Sequence, residues 1–157
     1  MYPLLPFSIK PTRQVIIFMG IQASGKSTFY EKMLSGRGYV HINLDTLRTR
    51  YQEQLAMQAC YDRGESFVVD NTNPERTDRQ RYIPEAKAHG YEVIGIFFQS
   101  ILKDCIERNE QRERQVPRIA IPCTQNKLQL PTYIEGFDKL YYARIAEDGF
   151  EIIDWQE

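Results

Sequence analysis

From residue 13 onward, short apolar runs alternate with longer amphipathic stretches. Residues 13–19 (RQVIIFM) form an apolar run rich in β-branched side chains, the pattern of a buried parallel strand. Residues 29–34 show helical periodicity and stop at Ser35-Gly36. Tyr39–Ile42 is a short strand candidate, and residues 44–61 read as a long helix ending before Arg63-Gly64. Residues 66–70 (SFVVD) form a third strand. Residues 74–89 read as a helix with Pro74 at its start, Gly90 as its stop and a kink or break at Pro84. Residues 91–98 form a fourth strand, residues 102–112 a helix, and residues 150–155 a final strand. This alternation predicts an α/β fold: a parallel sheet of about five strands in a three-layer α/β/α sandwich, with ligands bound at the C-terminal strand ends.

Length narrows the picture to one domain over residues 1–157, large enough to bury a core. Residues 1–12 read as an N-terminal arm. The net charge of −1 argues against sequence-independent binding of nucleic acid through a strongly basic surface, but leaves room for a local basic patch. Cys60, Cys105 and Cys123 are scattered and form no C-x-x-C pair, which points to neither a zinc site nor a disulfide framework. A reduced, cytoplasmic setting is the simplest expectation. The first residues have no basic leader, and no stretch is apolar enough to span a membrane, so no signal peptide and no membrane partner are expected.

The strongest chemical signal lies between the first strand and the first helix. Gly20-Ile21-Gln22-Ala23-Ser24-Gly25-Lys26-Ser27 fits G-x-x-x-x-G-K-[ST], with Thr28 directly after it. Chance would place such a match in under about 1% of chains this size. The two glycines permit a tight turn and close approach to an anion, and the loop N–H groups and the helix start point at a polyphosphate. Lys26 reaches the β- and γ-phosphates, and the Ser27 hydroxyl can ligate magnesium. Gly20, Gln22, Ala23, Ser24, Gly25, Lys26, Ser27 and Thr28 are therefore the expected binding residues for ATP.

Two further sites fall at strand ends. Asn43-Leu44-Asp45-Thr46-Leu47-Arg48 puts a carboxylate and a guanidinium one helical turn apart, on one face if the helix begins there. Asp45 then serves either as a helix cap or as the base that accepts a proton from a hydroxyl acceptor. Arg48 is either a solvated helix residue or an anchor for an anionic acceptor group. Val68-Val69-Asp70-Asn71-Thr72-Asn73-Pro74 fits the second acidic element of phosphate-loop proteins, which holds magnesium directly or through water. The alternative is a set of turn hydrogen bonds before a helix. Arg108, Arg112, Arg114 and Arg118 crowd the end of one helix and a proline-bounded loop. Residues 108–122 read as a mobile lid in which Arg108 and Arg112 share a face, or as a salt-bridged helix surface. His41 and His89 read as structural, because this chemistry needs no imidazole.

Taken together, these segments resemble the polynucleotide 5′-hydroxyl kinase group of the phosphate-loop kinases. The phosphate loop alone is not specific to that group. The Asp45/Arg48 pair joined to Asp70-Asn71-Thr72-Asn73-Pro74-Glu75-Arg76 is more so, with Arg108-Asn109-Glu110-Gln111-Arg112 before Val116-Pro117 and the stretch from Leu130 to Asp138 adding to it. The resemblance implies transfer of the γ-phosphoryl group of ATP to a polynucleotide 5′-OH, with Mg2+ as cofactor and a nucleic-acid 5′ end as partner. It implies Lys26, Asp45 and Arg112 as catalytic residues, Arg108 as a further ATP contact, and Ser27 and Asp70 at the metal. It implies Asp45, Arg48, Asn71 and Asn73 as acceptor-binding residues. The chain lacks the D-x-D-G-T signature of the phosphatase fused to some relatives. Kinases of small molecules or nucleotide-sugars, and a non-catalytic ATP-binding module, share the same front half.

Overall fold

The computed structural model describes residues 3–157, so Met1 and Tyr2 of the expected arm lie outside the described residues. Six strands form one sheet: β1 (Gln14–Met19), β2 (Tyr39–Ile42), β3 (Ser66–Val69), β4 (Glu92–Phe98), β5 (Lys139–Ala146) and β6 (Gly149–Asp154). Their order is β2-β3-β1-β4-β5-β6. The first five are parallel. The sixth turns back antiparallel on β5 through a hairpin in which Ala146 faces Gly149. Because β1 lies between β3 and β4, the connections leave it toward opposite edges, which opens a crevice at its C-terminal end.

Burial explains the layering. All six residues of β1 are buried, and successive side chains point to opposite faces. Val15, Ile17 and Met19 meet Met57, Cys60 and Tyr61 of α3 (Arg50–Arg63) and Ile83 and Ala86 of α5 (Ile83–Ala88). Ile16 and Phe18 face the other layer, with Phe29 of α1 (Lys26–Phe29) and Met33 and Leu34 of the π-helical turn that continues it. Phe18, Phe29 and Phe98 meet edge to face at centroid distances of 5.6, 5.0 and 5.3 Å. Each such pair contributes about 1 kcal/mol beyond its buried area, and the trio fixes α1 directly behind the phosphate loop. In the arm, Phe7 is buried with its ring 5.5 Å from that of Tyr141.

Two expectations are corrected, one of a strand and one of a helix. The strand expected at 150–155 is antiparallel, and the fifth parallel strand is β5. Its sequence KLYYARIA interleaves tyrosines and charges with few aliphatics, so it lacks the apolar run of a buried strand. The helix expected over 44–61 is two: α2 (Leu44–Leu47) ends at Arg48, whose φ of 73° leaves the helical region, and α3 starts after a Thr49 cap. The helix expected over 74–89 with a kink or break at Pro84 is broken just before it, into α4 (Arg76–Arg79) and α5. Pro84 occupies the first turn of α5, where its missing N–H has no partner to lose. Further along, α7 (Ala120–Lys127) packs near α6 (Leu102–Gln111), with Ile121 and Cys105 in a small apolar cluster.

Candidate functional site

The phosphate loop takes the conformation its glycines permit. Gly25, with φ 100°, ends the loop as the N-cap of α1. A side chain there would be strained by that φ and would press on Ile145 and Phe150 of the β5–β6 hairpin at 3.1–3.2 Å. Ala23 also takes a left-handed turn, with φ 61°. Such turns aim successive N–H groups inward, forming a nest for an anion. The loop is tied to its neighbours: the Gly20 N–H donates to the Thr72 carbonyl at 3.0 Å, and the Ile21 N–H to Ser100 Oγ at 3.1 Å.

Lys26 is buried. Its ammonium donates to the carbonyls of Gly20 (2.9 Å) and Ile21 (2.7 Å) and to Ser24 Oγ (3.3 Å). Burial pulls its pKa down to about 8, against the opposing pull of the Asp70 carboxylate. A polyphosphate entering the loop would favour the charged form again. Next to it, Ser27 Oγ donates to Asp70 Oδ2 at 2.7 Å. Asp70 follows β3 and is only 2% exposed. His41 Nε2 lies 2.8 Å from the same carboxylate oxygen, and the imidazole stacks on Tyr30 at 4.1 Å. His41 is therefore a neighbour of the site. Sequence reasoning set it aside, because only the pairing of β2 with β3 brings it beside Asp70.

Lys26, Ser27 and Asp70 line one cleft of ≈ 710 Å3, together with Gln22, Ala23, Gly25, Thr28, Asp45, Asn71, Arg108 and Arg112. Gly20 and Ser24 lie outside its lining and accept from the Lys26 ammonium. Asp45 stands on α2, an exposed single turn fixed by three polar bonds. Asn43 caps it by accepting from the Thr46 N–H (3.3 Å), the Asn43 amide donates to the Asp70 carbonyl (2.6 Å), and the Leu44 N–H donates to Asn71 Oδ1 (3.0 Å). Asn71 is held in turn by Glu53 Oε2 (2.9 Å) and the Tyr82 hydroxyl (3.2 Å). Glu53 is 1% exposed and also accepts from Tyr82 (3.0 Å) and Arg50 (2.9 Å).

Arg108 Nε donates to the Ala23 carbonyl at 2.8 Å, which ties α6 to the phosphate loop. Arg112 is half-buried, and burial lowers its pKa while the nearby Asp45 carboxylate raises it. Beyond the end of α6, Asn109 binds the backbone of Val116 and ties the following loop to the helix. Two expected acceptor contacts are placed elsewhere. Asn73 is buried, with φ 44°, and its amide donates to the Phe18 carbonyl at 2.8 Å, beneath the cleft rather than in it. Arg48 is exposed, lies outside the cleft lining and does not share a helical face with Asp45, because the backbone leaves the helix at Arg48. The β5–β6 hairpin supplies a wall that sequence reasoning missed: Ile145, Glu147, Gly149 and Phe150. Its apolar residues alternate with charges, and nothing local marks them as facing the phosphate loop.

The sequence matches the family described as "AAA domain" over residues 15–63 and 51–131. It is 30% identical over 146 residues to a putative bifunctional polynucleotide phosphatase/kinase of Acanthamoeba polyphaga mimivirus, covering 87% of this chain and 35% of that protein. It is 30% identical over 139 residues to the bifunctional polynucleotide phosphatase/kinase of Schizosaccharomyces pombe, covering 84% of this chain and 34% of that protein. The chain thus spans about a third of the length of these relatives. Among solved structures, a gluconokinase from Sinorhizobium meliloti 1021 shares the fold, with a TM-score of 0.60 and 19% identity over 88% of this chain and 86% of that one. With the family matched over well over half of its length and the phosphate loop, Asp45 and Asp70 set around one cleft, the chain belongs to the AAA domain family of phosphate-loop proteins.

Proposed function

We propose that this chain transfers the γ-phosphoryl group of ATP to a polynucleotide 5′-OH. The observation that carries the proposal is the composition of the cleft. A phosphate loop, a carboxylate on an exposed turn and a lid arginine line the same space. The printed activities of the two curated relatives support the acceptor class.

In this reading the acceptor oxygen attacks the γ-phosphorus in line with the departing bridging oxygen. The new P–O bond forms as the β–γ P–O bond breaks, and ADP leaves. Asp45 accepts the hydroxyl proton, and an ordinary carboxylate suffices because proton transfer comes late in a loose transition state. Lys26 and Arg112 oppose the charge that spreads over the transferring oxygens. Arg48, at the edge of this region, meets the phosphate next to the acceptor hydroxyl. The paired hard oxygens of Ser27 and Asp70 suit a small divalent cation, which keeps most of its own waters and needs few protein ligands. Magnesium bound there would neutralise phosphate charge.

The test is transfer of label from γ-labelled ATP, with magnesium, to a 5′-hydroxyl oligonucleotide, using Lys26→Ala as the blank. Transfer that vanishes in the blank is the expected result. A second reading, a small hydroxyl acceptor, draws on the near-neutral net charge and on Arg48 lying outside the cleft lining. ATP binding without transfer to any oligonucleotide would replace the first reading with the second.

A further inference from the structure

The lid arginine does not stand alone. Asn109 is 3% exposed on α6, between Arg108 and Arg112. Its carboxamide is used on both sides. Nδ2 donates to the Val116 carbonyl at 2.9 Å, and Oδ1 accepts the Val116 N–H at 3.0 Å. The same Oδ1 accepts Arg112 Nε at 3.1 Å. Because one backbone unit supplies both a donor and an acceptor, the amide orientation is fixed: reversing it would face N–H against N–H and oxygen against oxygen.

The helix ends at Gln111, and Arg112 is its extended C-cap. A guanidinium at such a junction would ordinarily sample many rotamers, and ordering it costs side-chain entropy. Asn109 removes part of that freedom in advance. It closes residues 112–116 into a short loop and takes the Nε hydrogen, leaving the two terminal nitrogens of Arg112 for the cleft. We infer that Asn109 is a positioning residue that sets the lid and presents Arg112 to the transferring phosphoryl group before substrate arrives. The inference rests on the role proposed above for Arg112. It goes beyond that role by assigning the ordering of the lid to one buried amide.

Two measurements on the full chain test it without relying on the acceptor. The first is the Arg112 Nε–H resonance of the nucleotide-free protein, assigned by its loss in Arg112→Lys. Wild type should show a slowly exchanging signal, and Asn109→Ala should lose that protection. The second is affinity for ADP with aluminium fluoride and magnesium, divided by affinity for ADP alone. This ratio reports the transition-state charge that a planar fluoride group mimics. Arg112→Ala should lower it about a hundredfold and Asn109→Ala about tenfold. The double variant should match Arg112→Ala, because a positioning residue has nothing left to position. Asn109→Asp keeps oxygens for Arg112 and the Val116 N–H but sets one against the Val116 carbonyl, so its ratio should fall between those of wild type and Asn109→Ala. It also serves if the alanine variant fails to fold. Additive losses in the double variant, an unprotected Nε–H in wild type, or an aspartate variant as weak as alanine would overturn the inference. Normal behaviour in both measurements with no transfer to oligonucleotides would instead count against the acceptor class.

Discussion

The phosphate loop and the segment from Asn43 to Asp45 line the same cleft, yet they are held in different ways. The loop continues directly from β1, whose six residues are all buried, into α1, whose Phe29 sits in an aromatic cluster. The acceptor segment has no buried residue on its helical turn. A four-residue helix has no stability of its own. It is held instead by bonds to Asp70 and Asn71, and behind them by Glu53 and Tyr82. The phosphate loop is thus anchored by apolar packing, whereas the turn that bears Asp45 rests on the partly buried Leu47 and on a polar relay from residues that are distant in sequence.

The largest effect that would sharpen this contrast is chemical. Asp45→Asn should lower the transfer rate by about 10²–10⁴-fold, while nucleotide affinity by titration stays unchanged. Retained transfer would remove Asp45 as the base. Next comes the relay. Glu53→Ala leaves the hydroxyl of the fully buried Tyr82 without its acceptor and the half-buried Asn71 amide with one acceptor fewer, and should cost about 3 kcal/mol in urea unfolding. Its transfer rate should fall while ADP affinity holds. An equal loss of ADP affinity would break the distinction between the two segments.

The third test concerns the loop. Burial depresses the Lys26 pKa to about 8, against 10.5 in the unfolded chain. Between those values the folded state binds fewer protons, so stability should rise with pH across that window. Lys26→Met removes this titration. The ligand-free variant should be more stable than wild type at pH 7, by at most about 3 kcal/mol. That advantage should close as the pH passes from 8 to 10.5. A gap that does not vary with pH would show that the lysine is not a desolvated charge. The smallest effect is expected at Arg48. Arg48→Ala should leave stability within about 0.5 kcal/mol, yet weaken an acceptor bearing a neighbouring phosphate about tenfold. Equal losses for acceptors with and without that phosphate would discard its anchoring role.

Sequence alone determined the phosphate loop, the four apolar strands β1 to β4 and the placement of Asp45 and Asp70 at strand ends. Those features are local: a glycine pattern, a run of β-branched residues, a carboxylate just past a strand. The tertiary structure decided the rest. The strand at 150–155 is legible in the sequence, but β5, with its mixed tyrosines, charges and scattered aliphatics, and the antiparallel pairing of the two come only from adding β5 to the edge of β4. Arg48 leaves the helix through its own backbone, a break that helical periodicity does not register. Asn73 looked like a neighbour of Asn71 in function, but its turn carries it under the phosphate loop to the Phe18 carbonyl. His41 reaches Asp70 only across paired strands, and Glu53 reaches Asn71 across 18 positions of sequence. Hydrogen bonds between distant segments depend on how the layers stack. Residue pattern sets what each segment can become, and packing alone sets which of their polar groups meet.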